Sequence, residues 1–226
     1  MRKLIVVFIL FVGVLAVVDR LLVDAIEKDI SREIAARFNL SEQPEVVIEG
    51  IPFITQAVAG RYDEITVTIG PVARDGMRLQ RVEGKLYGVT APLFRLITNA
   101  AEVDVRAERA TGTVLVSKDV LAARAPRGVT LESSDGELTA AGQVTVVGRP
   151  VQVKAALKLD VVAGGIRVTP VNVQFANGIP VPGVDRRLAF TIPVRNLPLG
   201  LKLTEVRSTA KGLEIKGEAT NLPLRG

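Results

Sequence analysis

The segment VQVKAALKLDVV, Val151 to Val162, alternates from end to end: Val151, Val153, Ala155, Leu157, Leu159 and Val161 fall on one side, Gln152, Lys154, Lys158 and Asp160 on the other. A period of two is what a strand with a single buried face requires. Asp63 to Gly70 repeats the pattern, with Ile65, Val67 and Ile69 against Glu64, Thr66 and Thr68. Comparable runs occupy Val46–Glu49, Met77–Leu86, Glu102–Ala107, Thr113–Val116, Glu137–Val147, Ile166–Phe175, Leu201–Val206 and Leu213–Ala219. Ser134-Asp135-Gly136, Gly148-Arg149-Pro150, Ala163-Gly164-Gly165 and Ala210-Lys211-Gly212 supply turn chemistry between several of them. Connections that short predict a mostly antiparallel sheet.

Each strand needs its apolar face covered, and the chain offers little to cover it with. DRLLVDAIEKDISREIAARFNL carries Leu22, Ile26, Ile30, Ile34 and Phe38 at four-residue spacing, with Val23 and Ala35 beside them and Glu27, Lys28, Arg32 and Glu33 opposite. This predicts an amphipathic helix of about five turns from Asp19, stopped by Asn39 and the later Pro44. TAPLFRLITNA and SKDVLAAR are shorter helical candidates, too short to roof a sheet. With so many amphipathic strands and one long helix, the sheet folds on itself, curls around the helix, or leaves an apolar interior for another occupant. No internal repeat is visible, and the only weak boundary lies near Pro126-Arg127-Gly128.

The first residues read separately. Arg2 and Lys3 precede an unbroken apolar run, Leu4 to Val18, the layout of a secretory signal or a short signal anchor. The expected organisation is residues 1–18 as signal peptide or anchor and 19–226 as the functional domain. The expected location is outside the cytoplasmic membrane, in a periplasm-like space or on the membrane's outer face. Val14-Leu15-Ala16 is a weak cleavage site, so removal and retention as a tether both stay open; retention leaves Arg2 and Lys3 on the cytoplasmic side. The chain has no Cys, so no lipobox is available and attachment must come from the polypeptide.

Composition removes most chemistry. Without His or Cys there is no usual base for a serine nucleophile, no thiolate and no imidazole metal ligand. No phosphate-binding glycine loop or nucleophile elbow is present, and neither a cofactor nor a metal is expected. Glu102 with Asp104, or Asp63 with Glu64, are the remaining acid–base candidates, but at strand spacing Glu102 and Asp104 sit on the polar, solvated face. The net charge of +5 is spread thinly, with Arg186-Arg187 the longest basic run, which argues against nucleic acid.

One stretch breaks the pattern. GIPFITQAVAG, Gly50 to Gly60, sets Ile51, Pro52, Phe53 and Ile54 in a row where a polar turn would be expected. The wider segment VVIEGIPFITQAVAGRYDEITVTI resembles the signature of the LmeA-type phospholipid-binding family of actinobacterial envelope proteins, a G-[FI]-P-F-[LI]-T-Q block followed by G-x-[YF]-[DE]. Here the blocks are Gly50 to Gln56 and Gly60-Arg61-Tyr62-Asp63, and Ile51 stands where Phe is commoner. The N-terminus, the helix, GTVLVS at Gly112–Ser117 and LPLGLKLTEVRSTAKGLEIKGEA extend the resemblance over most of the chain.

The resemblance implies a tubular lipid-binding-like α+β fold: a strongly curved, mostly antiparallel β-sheet wrapped around one long N-terminal amphipathic α-helix, enclosing an apolar cavity. The expected lining is Ile26, Ile30, Ile34 and Phe38 of the helix, Ile51, Phe53 and Ile54 of the signature, and Ile65, Val67, Val153, Leu157 and Leu159 of the strands. Leu93, Phe94 and Ile97 of PLFRLI are a membrane-docking candidate, against the plainer reading of a helix packed at one end of the sheet. The implied partners are phospholipid or a phosphatidylinositol-type glycolipid, the outer surface of the cytoplasmic membrane, and an envelope glycosyltransferase in mannan-type lipoglycan assembly. The competing expectations are an envelope interaction domain with a filled core and no ligand and, more weakly, an enzyme using carboxylates alone.

Overall fold

Helix α1 spans Arg2–Phe38 without interruption in the computed structural model, which describes residues 2–74, 77–92, 104–117, 121–122, 129–134, 137–146, 149–175, 189–194 and 197–224. The apolar leader and the amphipathic segment are therefore one rod of about 55 Å at 1.5 Å per residue. It ends where a helix should, with Asn39 in the left-handed region at φ 50° and the Leu40 amide donating to the Ala35 carbonyl at 2.9 Å. The helix is long and apolar enough to cross a membrane by length and composition.

The buried ridge of α1 lies one residue away from the expected stripe. Asp19, Val23 and Ser31 are its buried residues, and Glu27 between them is half-buried. Leu22 and Phe38 are instead 44% and 55% exposed, while Ile26 and Ile30 still reach the core. A quarter-turn rotation of this kind follows when polar groups on the helix have backbone partners to satisfy.

The strands form two sheets. In the first are β1 (Glu45–Glu49), β2 (Arg61–Ile69), β3 (Val72–Arg74), β4 (Met77–Thr90), β5 (Arg106–Ser117), β11 (Lys202–Thr209) and β12 (Gly212–Pro223), in the order β1-β2-β4-β5-β12-β11 with β3 on β4. The second has the order β10-β9-β8-β7-β6, from β6 (Val129–Ser134), β7 (Glu137–Val146), β8 (Arg149–Val162), β9 (Gly165–Phe175) and β10 (Phe190–Pro193). A short helix, α2 (Phe53–Ala59), joins β1 to β2. The class is α+β, a long N-terminal helix with mostly antiparallel sheets, one of them strongly curled, as the resemblance implies.

Two compact units divide the chain discontinuously: residues 1–70, 83–111 and 219–226, and residues 71–82 and 112–218. In the first, Val23, Ile48, Phe53, Tyr62, Val89, Ala91 and Ala107 are the buried cluster, with Ile26, Ile30, Ile65 and Leu86 packed against it. In the second, Val116, Ile166 and Leu213 form the buried cluster, flanked by Leu159, Leu203, Val206 and Ile215. The β8–β9 hairpin turns at Ala163-Gly164, where Gly164 has φ 79°.

Candidate functional site

The Gly50–Gly60 signature builds the corner at which helix meets sheet. Gly50 turns the chain out of β1 at φ 106°, and a side chain there would run into the side-chain amide of Gln56. Gln56 clamps the two strands: its Nε2 donates to the Glu49 carbonyl at 3.0 Å and its Oε1 accepts from the Asp63 amide at 3.0 Å. Thr55 Oγ1 donates to the Pro52 carbonyl at 2.8 Å. Phe53 is 2% exposed, its ring 6.0 Å from that of Tyr62, and Gly60 closes α2 at φ 68° with no room for a Cβ against Pro92.

Pro52 cannot cap α2, having no side-chain acceptor, and the cap comes from α1. Asp19 Oδ1 accepts from the Ile54 amide at 2.8 Å, and its Oδ2 accepts from Arg20 at 2.7 Å. The hydrogen bond from Arg20, together with the amides of Ile54 and Phe53, holds the Asp19 carboxyl below its ordinary value against the burial that pushes it up. Further along the same ridge, Glu27 Oε1 accepts from the Ile48 amide at 2.7 Å, and Ser31 Oγ donates to the Pro44 carbonyl at 2.5 Å. As α1 advances from 19 to 27 to 31, its partners retreat from 54 to 48 to 44, so helix and segment run antiparallel. Glu27, expected on the solvated face, instead satisfies the free edge of β1, because an edge amide facing a helix has no strand to pair with.

Inside this corner one polar atom is left over. The Tyr62 hydroxyl is buried and has no hydrogen-bond partner among the described residues, and desolvation pushes its pKa up. Tyr62 itself belongs to the apolar first cluster. A buried hydroxyl in that state costs free energy that a ligand oxygen or a water would recover.

The apolar strand faces are covered only in part. Ile65, Val67 and Ile69 of β2 are all half-buried, and so are Val151, Val153, Leu157 and Leu159 of β8. Of the expected lining, Ile26, Ile30, Phe53 and Ile65 come together in the first unit's cluster, and Leu159 packs on the second unit's. Ile34 and Ile54 are half-buried, whereas Phe38 and Ile51 are 55% and 83% exposed. Leu93, Phe94 and Ile97 lie outside the described residues, as does Glu102. Asp104 is exposed and paired with Arg106 at 2.6 Å, the solvated reading of that carboxylate.

Residues 17–218 match the profile of the LmeA-like phospholipid-binding proteins. The chain belongs to this family. No curated protein and no solved structure matches it. The LmeA-like match begins at Val17, so it takes in Asp19 and the whole stitched ridge of α1. Lipid binding is thereby attached to a chain whose described strands carry apolar rows that the protein itself half covers.

Proposed function

We propose that the protein is an extracytoplasmic phospholipid- or glycolipid-binding protein, non-enzymatic, that holds acyl chains against its incompletely covered strand faces. The observation that carries this reading is the half-burial of Ile65, Val67 and Ile69 on β2 and of Val151, Val153, Leu157 and Leu159 on β8, in a row whose Ala155 is buried and whose Val161 is exposed, in a member of a phospholipid-binding family. Native cores pack densely, so a row of large aliphatic side chains stopped halfway to burial is a surface awaiting contact. Acyl chains are the matching partner: at roughly 0.8 kcal/mol per methylene, two chains of about 30 methylenes in all face over 20 kcal/mol in water. An aliphatic surface removes that barrier with little change in free energy relative to the bilayer, while the phosphate stays outside because burying it unpaired is costly.

Such a protein serves envelope lipid or lipoglycan assembly of the mannan type, transferring lipid or presenting it to a glycosyltransferase at the outer face of the cytoplasmic membrane. The test is photocrosslinking of the full chain in phosphatidylglycerol-containing vesicles, with a diazirine near the end of an acyl chain, followed by peptide mapping. Adducts on β2 or β8 are the expected result. Adducts confined to Leu4–Val18 would overturn the reading, since any membrane helix would give those.

A further inference from the structure

Val58 and Ile51 are 85% and 83% exposed, more than any other large hydrophobic side chain among the described residues. They flank Phe53, which is 2% exposed, so the signature turns some of its apolar groups into the core and holds others out. Neither Ile51 nor Val58 belongs to either packed cluster, and the corner that displays them is fixed at both ends by the Gln56 clamp and the Asp19 cap. A fixed backbone that holds two large aliphatic groups out of the fold suits an apolar partner.

The position of Asp19 says what that partner is. Asp19 follows directly on Val18, the last residue of the apolar run, and it holds the first turn of α2 by the 2.8 Å bond to Ile54. The corner is thus bolted to α1 at the level where its membrane-compatible part stops. Leu4 to Val18 extend about 22 Å, short of the roughly 30 Å of a bilayer's hydrocarbon core. A span that short draws its flanking residues toward the lipid. Leu21 and Leu22, just past Asp19, are 65% and 44% exposed and extend the apolar surface in the same place. Interfacial elements bury their apolar faces about 5–10 Å deep, and the corner is held at Asp19, where the apolar run ends.

We infer that Ile51 and Val58 dock on a phospholipid bilayer beside the point where α1 enters it, setting the domain at a fixed height and tilt on the membrane. The inference rests on Leu4–Val18 being a retained membrane segment. It differs from the docking element expected at Leu93, Phe94 and Ile97, although Pro92, just before that segment, lies against Gly60 at the end of α2.

Because the chain has no Cys, single cysteines give clean labels. The full chain carrying I51C, V58C, V14C or K28C is labelled with an environment-sensitive fluorophore and reconstituted in phosphatidylcholine–phosphatidylglycerol vesicles with spin-labelled lipid as quencher. The expected result is blue-shifted, lipid-quenched emission at positions 14, 51 and 58, with shallow quenching at the last two, and water-like emission at position 28. Water-like emission at 51 and 58 with position 14 in lipid would overturn the docking alone. Water-like emission at position 14 as well would remove the membrane segment and the docking with it.

Discussion

Tyr62 concentrates the ligand question in a single atom. The residue is 4% exposed and its ring packs beside Phe53, while its hydroxyl has no partner among the described residues. If the hydroxyl serves only the fold, its removal costs nothing; a buried unsatisfied group destabilises, so Tyr62→Phe should raise the stability of delipidated protein by about 1 kcal/mol, read from its denaturation midpoint. If the same hydroxyl donates to a lipid oxygen, the variant should also retain less phospholipid after gel filtration from vesicles. Greater stability with unchanged retention would make Tyr62 a packing residue only. Glycine at 60 is a second constraint of this scale: its positive φ and the 2.9 Å approach of an added Cβ to Pro92 exclude any other residue without strain.

Helix α2 depends on an acceptor outside itself, which makes its stability a function of pH. The Asp19 carboxyl titrates below its ordinary 3.8, so its contribution is complete above that value and is lost as the pH falls through the lowered folded-state pKa. Asp19→Asn keeps an oxygen for the Ile54 amide but loses the charge and the Arg20 pair. Its Ile54 amide should exchange faster than wild type at neutral pH, and the acid-dependent part of the difference should vanish once both proteins are below the Asp19 pKa. This arrangement also marks the limit of what the sequence reveals. The period of β8 could be read directly, since each strand's pattern is written in its own residues. The helix Phe53–Ala59 could not, because its cap stands 35 positions upstream and its N-cap position holds a proline. Glu27 was misplaced for the same reason: nothing near it in the chain announces the Ile48 amide. Strand β5 looked like two runs because Glu108 and Arg109 interrupt the alternation, yet Arg109 lies 4.4 Å over the Tyr87 ring and the strand continues. The apolar rows of the candidate site were legible as rows; their half-burial, which gives them meaning, depends on what packs above them.

For the whole chain, the lipid reading predicts that ligand and stability are linked. A short-chain phospholipid below its micellar concentration should raise the unfolding midpoint with the logarithm of its concentration, by about 2.7 kcal/mol of stability at a hundred times its dissociation constant. A flat midpoint over that range would favour an interaction domain with a filled interior. The antiparallel stitching of α1 also sets an order of assembly. Its three bonds close loops of increasing separation, 13 residues for Ser31 to Pro44, 21 for Glu27 to Ile48 and 35 for Asp19 to Ile54. Closure entropy grows slowly with length, by about 0.6 kcal/mol per doubling, so each closure brings the next pair together at little added cost. The helix and the strand behind it can therefore zip from the Asn39 bend back toward the N-terminal half of α1. The last tooth to close is Asp19, which locks the corner down only once Ile54 has been brought back to the start of the ridge.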